Sequence, residues 1–153
     1  MSKESSNGEE SVRKLQLLRA GSLRLAVIAD EIAAITEWMD PVPLPNAPPA
    51  ILGVASVQGR MLTVIDPLVL FKEEQKSSPA HIVALRGDEQ LALAVGSIEA
   101  QLKFNLEDIQ KPENTSNAVM GTLVHDSEQT YLIDVTQLFA LSIQGRERRR
   151  RQL

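Results

Sequence analysis

Through much of the chain apolar and polar positions alternate with a period of two, the pattern of strands in a sheet. Leu15-Gln16-Leu17-Leu18 leads to Gly21-Ser22 and on to Leu23-Arg24-Leu25-Ala26-Val27, which predicts a hairpin with a glycine able to take positive φ at its turn. In the second strand Leu23, Leu25 and Val27 alternate with Arg24 and Ala26, as expected for a sheet with one buried face. The plan recurs as His81-Ile82-Val83-Ala84-Leu85-Arg86, a polar turn at Gly87-Asp88-Glu89-Gln90, and Leu91-Ala92-Leu93-Ala94-Val95. Later in each case comes a strand (Met61 to Asp66; Thr130 to Asp134), then a short amphipathic segment that begins after an aspartate. Asp66 and Asp134 stand where a helix N-cap belongs, to accept hydrogen bonds from the first free backbone amides. Between Asp30 and Met39 the pattern fits both periods: Ile32, Ile35 and Trp38 have helical spacing, while Ile35-Thr36-Glu37-Trp38-Met39 alternates.

The recurrence is an internal repeat, the feature to settle before any fold is named. Shifted by 68 residues, Leu23 to Val27 falls on Leu91 to Val95, and Ile51-Leu52-Gly53 on Val119-Met120-Gly121. With no gap, Val64-Ile65-Asp66 then meets Leu132-Ile133-Asp134, and Leu70-Phe71 meets Leu138-Phe139. A unit of about 65 residues buries little surface alone, so two copies are expected to cover each other's weak faces. The expected fold is all-β, a pair of small, partly open antiparallel barrels sharing an apolar seam. The expected division is a disordered tail over 1–12, barrels over about 13–79 and 80–143, and a basic tail over 144–153. A helical fold is disfavoured by five prolines between Pro41 and Pro49 and by the lack of a long 3.6-residue stripe. Pro45 and Pro48 fit a PxxP ligand, but these prolines read better as a stiff connection between strands.

Composition narrows the function. The 153 residues are 43% hydrophobic, contain no cysteine, and show neither a cleavable signal nor an apolar run long enough for a membrane span. A reducing cytoplasm is the expected location. Net charge is −4, but Arg146 to Leu153 carries +4, leaving −8 on residues 1–145. So acidic a body repels phosphate, and any binding to nucleic acid or an anionic membrane is expected only through the arginine tail. Aromatic residues make up 3%, too few for base stacking.

Catalytic chemistry is missing from the pattern. His81 opens a strand, and His125-Asp126 lies at an expected hairpin turn. Gly53 to Gly59 has five intervening residues and is followed by Arg60-Met61, whereas a phosphate loop has four and then Lys-Ser/Thr. No GxSxG or GxGxxG occurs. No enzyme activity, cofactor or metal is expected.

The residues do resemble a known family. Leu44-Pro45-Asn46-Ala47-Pro48, Ile51-Leu52-Gly53-Val54, Gly59-Arg60, Val64-Ile65-Asp66-Pro67, Leu91 to Val95 and Thr130 to Phe139 together look like CheW, the chemotaxis coupling proteins, over about 13–143. The resemblance implies two five-stranded SH3-like barrels and a scaffold that bridges a chemoreceptor cytoplasmic tip and the regulatory domain of a histidine kinase. It implies a partner-binding groove lined by Ile32, Gly53, Val54, Gln58 and Gly59, with Arg60 beside them and Ile98 and Leu102 facing from the second copy. Three polar positions depart from the family pattern. Its V-x-E-I is Ile32-Ala33-Ala34-Ile35, its arginine before glycine is Gln58, and its V-D-x-V is Val95-Gly96-Ser97-Ile98. The alternative expectation is therefore a CheW-like interaction module of another signalling or motility system, without receptor contact.

Overall fold

The computed structural model describes residues 11–73, 78–111, 118–140 and 142. The expected hairpins form: β1 (Val12–Ala20) and β2 (Leu23–Ile28) turn at Gly21, whose φ is 58°. β6 (His81–Leu85) and β7 (Leu91–Val95) make the second hairpin. The ambiguous stretch resolves into a single 3-10 turn at Ala29–Glu31 and then β3 (Ile32–Glu37). Its alternation wins over its helical spacing because β3 finds an antiparallel partner in β6. The remaining strands are β4 (Ile51–Val57), β5 (Arg60–Ile65), β8 (Ser97–Asn105), β9 (Val119–His125) and β10 (Glu128–Ile133). Helix α1 (Pro67–Leu70) follows β5, and residues 135–140 are helical after β10. The basic tail 144–153 lies outside the described residues, as does the N-terminal tail except its last two positions, and β1 already begins at Val12.

The chain is all-β in character, with two five-stranded sheets. Sheet I has the order β8-β1-β2-β10-β9, and sheet II the order β3-β6-β7-β5-β4. Neither sheet is one copy of the repeat. The first copy's hairpin β1–β2 sits in the middle of sheet I among strands of the second copy, and hairpin β6–β7 sits reciprocally in sheet II. The expected boundary at 79/80 therefore does not separate the two sheets. Both hairpins carry the same alternating pattern, so each can complete the three strands of the other copy, through the parallel pairs β2–β10 and β5–β7.

The repeat itself is accurate to the hydrogen bond. Asp66 N–H donates to Ala50 O at 2.8 Å, and Asp134 N–H to Ala118 O at 2.6 Å, each pair displaced by 68. Asp66 Oδ1 accepts from Leu68 N–H at 3.0 Å, and Asp134 Oδ1 from Thr136 N–H at 3.1 Å, so both aspartates cap as expected. Bridges Val42–Val54 and Gln110–Thr122 also correspond, and each links the chain after one edge strand to the opposite edge of the same sheet. The parallel joins differ slightly. Val64 lies opposite Ala92 while Leu132 lies opposite Ala26, an even slip that keeps every side chain on its face.

Both faces of the central strands are buried, not one. Leu23, Leu25 and Val27 join Leu91, Leu93 and Val95 in a cluster shared by the two sheets, with Leu18, Val83, Leu85, Ile65, Ile133 and Leu138. On the other face, Ala92 and Ala94 pack with Leu62, Val64 and Ile82 in a cluster private to sheet II. Ala26 packs likewise with Leu15, Leu17, Leu123 and Leu132 in sheet I. On this second face the alanines lie among larger leucine, isoleucine and valine side chains. Arg24, expected at the surface, is 8% exposed.

Candidate functional site

Five of the eight candidate residues lie on the β4–β5 hairpin. Its turn is Gln58 (φ 51°) and Gly59 (φ 79°), two left-handed residues that match the twist of the flanking strands. The counterpart turn between β9 and β10 is Asp126 (φ 50°) and Ser127 (φ 65°), which confirms the turn reading of His125-Asp126. Gln58, Gly59 and Arg60 are exposed at this tip. Arg60 forms no ion pair among the described residues, whereas its counterpart Glu128 is bound by two arginines.

Gly53 is buried and has φ +148°. A Cβ there would overlap the carbonyl oxygen of Val42 and stand 2.7 Å from its carbonyl carbon. Its neighbour Val54 is tied to Val42 by two backbone hydrogen bonds of 2.8 and 2.9 Å. Gly53 thus permits a backbone approach and offers no side chain or open space to a partner. Gly121 repeats the arrangement against Ile109 and Gln110.

The other three candidates are half-buried on other strands. Ile32, opposite Leu85, and Ile98, opposite Leu18, both pack against the shared cluster. Leu102, opposite Leu15, packs instead against the private cluster of sheet I. Ile32 and Ile98 thus meet the shared cluster from edge strands of different sheets, while residues 53–60 lie on one hairpin.

Two features escaped the sequence reading. The first is an exposed apolar strip on the outer face of sheet II. Val42 is 68% and Met61 57% exposed, and the pairs Val42–Val54, Val54–Thr63 and Ser56–Met61 run side by side across it. The counterparts of Val42, Val54 and Met61 are Gln110, Thr122 and Gln129, while Ser56 corresponds to Val124, which is 70% exposed, so the two copies place their exposed apolar side chains at different equivalent positions. Comparing the aligned copies for polarity as well as identity reveals this difference. The second is an ionic cluster on sheet I. Arg19 Nε contacts Glu99 at 2.9 Å and its Nη2 contacts Glu128 at 2.7 Å. Arg24 contacts Glu99 at 3.1 Å and donates to His125 O at 2.9 Å. Hydrogen bonding to Arg19 holds the Glu128 carboxyl below its usual range, and both glutamates raise the Arg19 guanidinium. Nothing in the sequence marked these four residues, because their partners lie 75 to 109 positions apart.

Among the described residues no three His, Cys, Asp or Glu side chains are placed to hold a metal ion. A cavity of about 150 Å³ is lined by Leu106, Ile109, Lys111, Met120 and Leu132, apolar except for one amine. Burial, and secondarily the charge of Asp134, pushes the Glu31 carboxyl up, and its Oε1 has no hydrogen-bond partner among the described residues. Burial also raises Asp66, against the opposing hydrogen bond from Leu68 N–H. No described helix is long and apolar enough to cross a membrane.

A family profile described as the CheW-like domain matches residues 14–142. The chain belongs to the CheW-like family. Members of this family are scaffolds and adaptors of chemotaxis, not enzymes. In fold the chain is similar to the crystal structure of scaffolding protein TtCheW from Thermoanaerobacter tengcongensis, with a TM-score of 0.75 and 17% identity over 83% of this chain and 87% of that one. No curated protein sequence matches it. The CheW-like fold accounts for the paired sheets, while the unequal outer faces and the ionic cluster are read from this chain's own residues.

Proposed function

We propose that this CheW-like chain is a cytoplasmic adaptor that couples a chemoreceptor cytoplasmic tip to the regulatory domain of a histidine kinase. The observation that carries the reading is the family match spanning both sheets, joined to two copies with unlike surfaces. An adaptor needs two partner sites, and a duplicated fold supplies equivalent places that can diverge. Ile32 and Ile98 beside the seam suit one apolar face of a helix, and the β4–β5 hairpin with Val54, Gln58, Gly59 and Arg60 suits a second contact. Contacts of this kind are weak singly and gain strength by repetition in an array.

A second reading has its own support. Ala34, Gln58 and Gly96 stand where the family pattern carries a glutamate, an arginine and an aspartate, and lost charges remove the electrostatic part of recognition. On that reading the chain serves a kinase without touching a receptor. Immobilised chain incubated with a purified receptor tip and kinase regulatory domain separates the two. Capture of both supports coupling, kinase alone supports the second reading, and capture of neither overturns both.

A further inference from the structure

The reciprocal exchange of hairpins has a mechanical consequence. In sheet I the hairpin β1–β2 stands between β8 and the pair β10–β9, and in sheet II β6–β7 stands between β3 and the pair β5–β4. Disordering the first copy therefore removes the middle of sheet I and three strands of sheet II. Disordering the second does the reverse. Neither sheet can persist when either copy is lost.

Side-chain packing reinforces the same link. Leu25 and Leu93, on the exchanged hairpins, belong to the one cluster that also contains Ile65 and Leu138 from the two copies' C-terminal portions. Each exchanged strand is also anchored on its opposite face, Ala26 in the private cluster of sheet I and Ala92 in that of sheet II. A change of order at one private cluster thus passes through a single strand thickness to the shared cluster, and through it to the other sheet.

We propose that the two sheets are one thermodynamic unit, so that loosening or tightening either is felt at the other through the exchanged hairpins. A partner that binds and rigidifies one sheet then protects the other, and by linkage the effect is reciprocal. Its use in signalling rests on the adaptor reading above; the coupling itself needs no partner.

The test uses the full chain alone. Trp38 is the sole tryptophan and packs on the private cluster of sheet II, so its fluorescence reports that sheet. Leu123→Ala, or Leu123→Val should the first not fold, loosens only the private cluster of sheet I. The Trp38 unfolding midpoint is expected to fall by the same amount as the midpoint seen by far-ultraviolet circular dichroism. In the reverse experiment, Leu62→Ala in sheet II is expected to speed amide exchange in β9 and β10 by the same factor as in β4 and β5. A Trp38 midpoint that stays at the wild-type value while sheet I melts early, or unchanged exchange in β9–β10, overturns the proposal. No partner enters either measurement, so its failure is distinct from failure of the adaptor reading.

Discussion

Gly53 and Val42 meet backbone to backbone: the space a side chain at 53 would take is occupied by the Val42 carbonyl. The contact lets Val42 and Val54 exchange two hydrogen bonds and joins the two edges of sheet II. Replacing Gly53 by alanine combines backbone strain with loss of that bridge, an expected cost of about 3–5 kcal/mol. Gly59→Ala has no neighbour within 4 Å of its new methyl and meets only the left-handed penalty, about 1–2 kcal/mol. Urea unfolding of the two variants checks the order; equal costs would mean that the Val42 contact does not constrain the fold.

The ionic cluster gives a second expectation. Arg24 is nearly buried and links β2 to Glu99 on β8 and to the His125 carbonyl at the end of β9. Arg24→Ala leaves these acceptors short of a donor and is expected to cost about 2–3 kcal/mol, with little recovery in Arg24→Lys because an ammonium cannot reproduce the guanidinium fork. Denaturant midpoints of the three proteins measure this. A loss under about 0.5 kcal/mol would place the cluster with ordinary surface ion pairs.

Two glutamates set opposite pH trends. Glu128 has its folded pKa lowered below 4.5 by the hydrogen bond from Arg19, so its stabilisation is present above that value and is lost as pH falls through the folded pKa. Glu31 has its folded pKa raised above 4.5 by burial and by Asp134. In the window between 4.5 and that raised value the folded state holds more protons, so stability declines as pH rises. Glu31→Gln is expected to stabilise the protein near neutral pH and to lose this advantage in acid. Thermal midpoints of wild type and variant across pH follow it, and a constant difference would show that Glu31 does not titrate differently on folding.

Much of this molecule is legible in its sequence, for reasons that also mark the limits. The shift of 68 residues locates both hairpins and both N-caps, because turns and caps are local and depend on few residues. It cannot say which copy completes which sheet. The strands Leu23–Val27 and Leu91–Val95 are nearly the same sequence, and choice of partner depends on connections far along the chain. The buried second face is hidden for a related reason: Ala26, Ala92 and Ala94 are small enough to read as neutral, and Arg24 reads as exposed until its carboxylates arrive from β8 and β10. Of the candidate site, the hairpin tip at Gln58 and Gly59 emerges as a turn, Gly53 as a backbone contact, and the apolar pair Val42 and Met61 appears only once strands are set side by side.

The difference between the copies bears on binding. Met61→Glu places a charge on the apolar strip of sheet II without touching the core, and Gln129→Glu makes the equivalent change on sheet I. The first is expected to weaken capture of the receptor tip or kinase domain at least about tenfold, about 1.4 kcal/mol, with an unchanged thermal midpoint. The second is expected to leave both affinities in place. Titration calorimetry decides the matter, and unaltered binding by Met61→Glu would remove the strip from the partner surfaces.

The most direct measurement is sedimentation velocity of the chain mixed with a receptor cytoplasmic tip and a kinase regulatory domain, singly and together. An adaptor gives a ternary species heavier than either binary complex, in which receptor and kinase domain sediment together only when this chain is present. Two binary complexes that compete and never combine, or no complex with either protein, would contradict the account.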